Sequence, residues 1–86
     1  MAMRYAVYIN VAYKPSLRDP EGETISRDLL ARLGFGVEVR SGKCLVLYIE
    51  ADSPDAAREA ALKIAREARL GNPNVHVIEV VRVEGG

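Results

Sequence analysis

Val37-Glu38-Val39-Arg40-Ser41-Gly42-Lys43-Cys44-Leu45-Val46-Leu47-Tyr48-Ile49-Glu50 occupies the middle of the chain. Val37 and Val39 alternate with Glu38 and Arg40, which reads as a short strand, and Ser41-Gly42 reads as a turn. Lys43 to Glu50 then reads as a second, longer strand. Two strands joined so closely predict a hairpin, and the segments on either side of it decide the fold class.

On the N-terminal side, Tyr5, Val7, Ile9, Val11 and Tyr13 are all apolar and two residues apart, the period of a strand. A loop follows through Lys14-Pro15-Ser16. Asp19 is placed as a helix N-cap, with Pro20 at the first helical position, where its missing N–H costs nothing. Ile25, Leu29, Leu30 and Leu33 form an apolar stripe at helical spacing opposite Glu23, Arg27, Asp28 and Arg32, and Gly34 is expected to end the helix.

On the C-terminal side, Ser53-Pro54-Asp55 repeats the cap-then-proline signal and opens a helix expected to run to about Leu70, with Gly71 as its stop. Its apolar arc is mostly alanine, comprising Ala57, Ala60, Ala61, Ile64, Ala65 and Ala68. Such a helix can approach a sheet closely while burying little area per residue. After Asn72-Pro73-Asn74, the run Val75 to Val83 is rich in valine and isoleucine and predicts a last strand. The order β-α-β-β-α-β predicts an α+β, ferredoxin-like fold: an antiparallel sheet with both helices on one face, in a single domain spanning residues 1–86.

A sheet covered on one face should be polar on the other if the protein is a monomer. Here the second face also reads as apolar, with Tyr8, Ala12, Val46, Tyr48, Ile78 and Val80 expected to line it. That patch is larger than soluble monomers usually expose. A homodimer or homotetramer that buries this face, or joins sheet edges, is therefore expected.

The 86 residues suffice for one thin core, which would bury only about 60–65% of the unfolded surface. Lys plus Arg and Asp plus Glu each number 12, so the formal net charge is zero, against the basic excess of a nucleic-acid binder. Tyr8 and Tyr48 could stack bases on central strands, but the basic residues that accompany such platforms are missing. Cys44 is the single cysteine, which excludes an internal disulfide and fits a reducing compartment. Met1-Ala2-Met3-Arg4-Tyr5 runs into strand-like sequence without signal-peptide features, and no apolar run approaches the length of a membrane span. A cytoplasmic protein without membrane or nucleic-acid partners is expected.

Catalytic chemistry is poorly provided for. One Cys and one His, both in apolar runs, do not supply a nucleophile with its base or a metal-ligand set, and no glycine-rich phosphate loop is present. No catalytic residue, metal site or bound cofactor is expected in this chain. Arg40 with Gly42-Lys43 could receive an anion, as could Lys14 with Arg18; the plainer reading is a solvated turn.

Three short elements, in order, carry more specific information: Leu17-Arg18-Asp19-Pro20-Glu21-Gly22, Val39-Arg40-Ser41-Gly42-Lys43 and Leu70-Gly71-Asn72-Pro73. Together they resemble the PurS family, the small subunit of phosphoribosylformylglycinamidine synthase, in which the corresponding elements are Leu-Asp-Pro-Gln-Gly, Val-Arg-x-Gly-Lys and Leu-Ala-Asn-Pro. The resemblance implies a non-catalytic subunit that joins a glutaminase subunit to a synthetase subunit; ATP and Mg are used by the larger complex. It also makes Arg18, Asp19, Glu21, Gly22, Arg40, Gly42, Lys43 and Asn72 candidates for partner contacts or turns. Glu21 stands where the family usually has Gln, and Arg18 replaces an apolar residue. Both add charge, so the loop should be more exposed than in relatives or meet an altered partner. The alternative is an ACT-like regulatory domain, which shares the topology and binds small effectors at a dimer interface.

Overall fold

The computed structural model describes residues 2–85. Met1 and Gly86, the ends of the expected 1–86 domain, lie outside the described residues. The strands are β1 (Met3–Tyr13), β2 (Gly42–Ala51) and β3 (His76–Gly85), all antiparallel in the order β2-β1-β3. Between β1 and β2 lies helix α1, residues 20–33, and between β2 and β3 lies helix α2 (Pro54–Glu67). The α+β class, the antiparallel sheet and the sequence of helices and strands are those expected of the ferredoxin-like pattern. The expected short strand at Val37–Arg40, however, pairs with no strand among the described residues, leaving a three-stranded sheet.

β1 is central because alternate residues can be buried between two neighbours and a helix. Tyr5, Val7, Ile9 and Val11 point into the core, and α2 closes over them with Ala57, Ala61 and Ala65. Alanine brings the helix backbone close to the sheet but contributes little apolar area, so the core is thin. Ile64, placed on the apolar arc by its spacing, remains exposed beside these alanines. Ser53 caps α2 by accepting from the Ala56 N–H at 3.1 Å, with Pro54 in the first turn.

The exit of α2 differs from expectation. The helix ends at Glu67, and the left-handed residue behind it is Arg69 (φ 52°), not Gly71. Gly71 is needed for another reason: a Cβ there would lie 2.9 Å from Val11 Cγ1 and 3.2 Å from Ile78 Cδ1, where the turn crosses close to the sheet.

α1 begins as expected. Asp19 caps it, Pro20 opens it, and Gly34 (φ 89°) ends it, donating its N–H to the Ala31 carbonyl at 3.1 Å. The helix is α over Pro20–Thr24, widens to a π-helix over Ile25–Leu30 and tightens to a 3-10 turn at Ala31–Leu33. The hydroxyls of Thr24 and Ser26 bond back to the carbonyls of Pro20 and Gly22, which competes with regular helical pairing. Among the described residues, α1 packs against no strand of the sheet. The radius of gyration is therefore 16.0 Å, against about 12 Å for a compact chain of this length, and the long dimension is 53 Å. Residues 20–40 form an arm rather than a second layer.

Candidate functional site

The base of this arm gathers most of the sequence-predicted site. Asp19 is almost fully buried and its carboxylate accepts from three donors. One is the Gly22 N–H at 3.1 Å, which makes the N-cap bond. The others are the Ser41 N–H and the Ser41 hydroxyl, which lies 2.8 and 2.9 Å from the two carboxylate oxygens. The Ser41 N–H holds the Asp19 carboxyl below its ordinary range, followed by the Ser41 hydroxyl and the Gly22 N–H; burial opposes them, and the positive charge of Arg40 adds a smaller contribution.

Gly22 is buried beneath the returning chain. A Cβ on it would overlap the Val39 carbonyl oxygen and lie 2.8 Å from Asp19 Oδ2, so the close approach excludes any side chain. Ser26 adds a second tie one turn later. Its hydroxyl donates to the Gly22 carbonyl at 2.9 Å and accepts from the Val39 N–H at 2.7 Å. Arg40 reaches back across the base, donating to the Lys14 carbonyl at 3.1 Å. The first two motif elements thus clamp each other. Gly42, at the start of β2, faces Asn10, whose Oδ1 would lie 2.7 Å from an added Cβ.

Arg18 and Glu21 lie on the outside of this clamp, both exposed, as their added charge requires. Arg18 makes a two-point pair with Glu23, at 2.7 and 3.2 Å. Glu21 and Lys43 line the rim of a cleft of about 230 Å³ that also includes Tyr13, Ser41, Leu70 and His76. Asn72 shapes the turn beyond it: its carbonyl accepts from the Val75 and His76 N–H groups, and its side chain accepts from the Asn74 N–H at 3.0 Å. Its own N–H donates to His76 Nδ1 at 2.8 Å, and the His76 ring stacks on Tyr13 with centroids 5.0 Å apart. Asn72 is therefore a turn residue, and all three motif elements converge at one end of the sheet.

Sequence reasoning missed Ser26 as the second tie and Ser41 as the principal partner of Asp19. Serine at these positions carries no periodic or capping signal of its own.

The sheet face opposite α2 is open. Tyr8, Ala12, Val46 and Tyr48 belong to it, alternating with the core residues of β1 and β2. Tyr48 is 64% exposed. Arg4 lies over the Tyr48 ring at 4.6 Å and Arg82 over the Tyr8 ring at 4.2 Å, so the patch is aromatic with a cationic fringe. Ile78 and Val80 do not belong here and must be corrected. They pair with Val11 and Ile9, and the pairing puts them on the helix side against the core. Between the pairs Tyr8↔Arg82 and Ile9↔Val80, Val81 is left over as a bulge, which returns Val83 to the core side as well. Val77, paired with Ala12 and exposed, takes the place that parity alone gave to Ile78.

The family model for PurS, phosphoribosylformylglycinamidine (FGAM) synthase, matches residues 6–84. The chain belongs to the PurS family. It is 41% identical over 73 residues to the FGAM synthase subunit PurS of Thermotoga maritima, covering 84% of this chain and 88% of that one. The crystal structure of the purS subunit from Thermotoga maritima is similar over 100% of this chain and 95% of its own, with a TM-score of 0.80 at 34% identity. Thermus thermophilus PurS is similar over 94% of this chain and 95% of its own, with a TM-score of 0.81 at 30% identity. Membership of the PurS family disfavours the ACT-like alternative. Among the described residues, no group of three or more His, Cys, Asp or Glu side chains is placed to hold a metal ion, and no helix is long and apolar enough to cross a membrane.

Proposed function

We propose that this chain is the small, non-catalytic assembly subunit of FGAM synthase in purine biosynthesis. In the cytoplasm it joins a glutaminase subunit to an ATP- and Mg-using synthetase subunit. The complex converts formylglycinamide ribonucleotide, ATP, glutamine and water into formylglycinamidine ribonucleotide, ADP, phosphate and glutamate. Ammonia released at one active site must reach the other without escaping to solvent, which requires the two large subunits to be held in fixed relation. A rigid adaptor suits that task.

The observation that carries this reading is the way the family motifs are used. Asp19, Gly22 and Ser41 satisfy one another at the arm base, so the only nearly buried carboxylate at this site is committed to fixing backbone. General acid–base work instead needs a titratable group within reach of a substrate. What the chain offers outward is surface: the arm and the open face of Tyr8, Ala12, Val46 and Tyr48.

We further infer that the open face joins copies of this chain into a homodimer or homotetramer. A self-complementary patch paired about a twofold axis would remove the aromatic residues from water, and at about 25 cal/mol per Å² a modest contact contributes several kcal/mol. Arg18, Glu21 and Lys43, exposed at the arm base, are left to meet the larger subunits.

Gel filtration of the two large subunits tests the assembly role. They should co-elute as one species when this chain is added and separately when it is withheld. Equal co-elution without it would overturn the proposal.

A further inference from the structure

We propose that His76 is a proton-operated latch on the turn between α2 and β3: the neutral ring holds Asn72 in place, and protonation of the ring releases the turn that carries the Leu70–Pro73 element. Such a latch acts within this chain alone, whatever partners the chain has.

The other bonds of the turn are made by groups that do not titrate. The Asn72 carbonyl accepts from the Val75 and His76 N–H groups at 3.0 and 2.7 Å, and the Asn72 side chain accepts from the Asn74 N–H at 3.0 Å. The Asn72 N–H is the exception, because its acceptor is His76 Nδ1 at 2.8 Å. A ring nitrogen that accepts carries no proton, so the ring is neutral with its proton on Nε2. Protonation turns Nδ1 into a donor as well, and two N–H groups then face each other across 2.8 Å. Imidazole is the side chain whose charge changes between about pH 5 and pH 8.

Of the two partners, the ring is the better anchored. It stacks on Tyr13, its register partner on β1, with centroids 5.0 Å and planes 30° apart. An aromatic face attracts a cation, so charging the ring strengthens this contact, and the turn is the part that yields. The ends of the turn are fixed by contacts that do not involve the ring. The Leu70 N–H donates to the Ala65 carbonyl at 3.0 Å, Gly71 lies close against Val11 and Ile78, and the Lys14 N–H donates to the Val75 carbonyl at 2.9 Å. Release is therefore confined to Asn72, Pro73 and Asn74, all of them exposed.

The titratable and charged groups around the ring come from three elements. Glu21 of α1, Lys43 of β2 and the Tyr13 phenol of β1 line the same cleft as His76, and among the described residues α2 contributes none of that lining. Lys14 and Arg69 flank the turn. Glu21 and Lys43 bring one charge of each sign to the cleft, so the bond from Asn72 is what separates the two states of the ring. The turn stands at the end of the sheet where the three family elements converge. A proton on one ring thus alters the surface the chain presents there.

The test is NMR on the full chain in mild base and mild acid, together with the variants His76→Asn and His76→Phe. At about pH 8 a nitrogen–nitrogen coupling should cross the bond from the Asn72 amide to His76 Nδ1, and at about pH 5 it should vanish. Over the same range the protection of the Asn72 amide, corrected for intrinsic exchange, should fall about tenfold, the worth of one hydrogen bond. The Leu70 and Lys14 amides should keep theirs. His76→Asn retains an acceptor that cannot titrate and should hold the turn throughout, whereas His76→Phe retains a ring on Tyr13 without an acceptor and should leave the turn loose throughout. Absence of the coupling in mild base, or an Asn72 amide equally protected once the ring is charged, would overturn the latch. An equal loss of protection at Leu70 and Lys14, or a pH response in His76→Asn that matches the unaltered chain, would also overturn it, assigning the response to other groups. Circular dichroism checks that the variants are folded; if either is not, coupling and exchange in the unaltered chain decide.

Discussion

In the body of the molecule, Val7, Ile9, Ala57 and Ala61 are wholly withdrawn from solvent, whereas between Pro20 and Arg40 the one buried residue is a glycine. The body is held by apolar packing across β1 and α2. The arm is held at its base by hydrogen bonds to Asp19 and Ser26, and its apolar side chains face outward. Neighbouring stretches of one small domain thus solve the same burial problem differently. The body completes its core within the chain, whereas the arm builds none within the chain.

The largest effect should come from the body. Ile9→Ala removes a fully buried side chain from the central strand and should cost about 2–5 kcal/mol, seen as a lower denaturant midpoint for the whole chain. Gly22→Ala strikes the arm base, where the new methyl meets the Val39 carbonyl. It should cost about 1–3 kcal/mol and release hydrogen-exchange protection in residues 20–40 before it does so in β1. Equal loss of protection in both regions would erase the distinction between them.

Asp19→Asn comes next. The amide places a donor where one carboxylate oxygen now accepts, so the unfolding temperature should fall by several degrees at pH 7. Because the Asp19 carboxyl is held below its ordinary range in the folded state, its contribution is present above the unfolded value of about 4. It is lost as pH falls from there through the folded value, so wild type and variant should converge in acid. A gap that stays constant below pH 4 would contradict the assignment. Smallest of all, Arg18→Ala breaks an exposed pair and should leave thermal stability unchanged within error. Any effect of that substitution should appear in binding to the large subunits.

The same contrast explains what could be read in the sequence. Alternation in β1, the two cap-then-proline starts and the alanine stripe of α2 are local signals, and each element they predict is present. Register is less local. The bulge at Val81 depends on the pairing with Tyr8 and Ile9, so parity counting misplaced Ile78 and Val80. The strand expected at Val37–Arg40 has the right alternation, but a strand also needs a neighbour, and the clamp on Ser41 turns the segment away from the one beside it. The motif residues were legible as a set through family resemblance, while the part each plays emerged only from their mutual hydrogen bonds.

The adaptor role is tested most directly by comparing glutamine-driven with ammonia-driven FGAM synthesis by the two large subunits, with and without this chain. The account predicts that omitting it abolishes most of the glutamine-driven rate, and that free ammonia restores synthesis. An unchanged glutamine-driven rate in its absence would contradict that prediction.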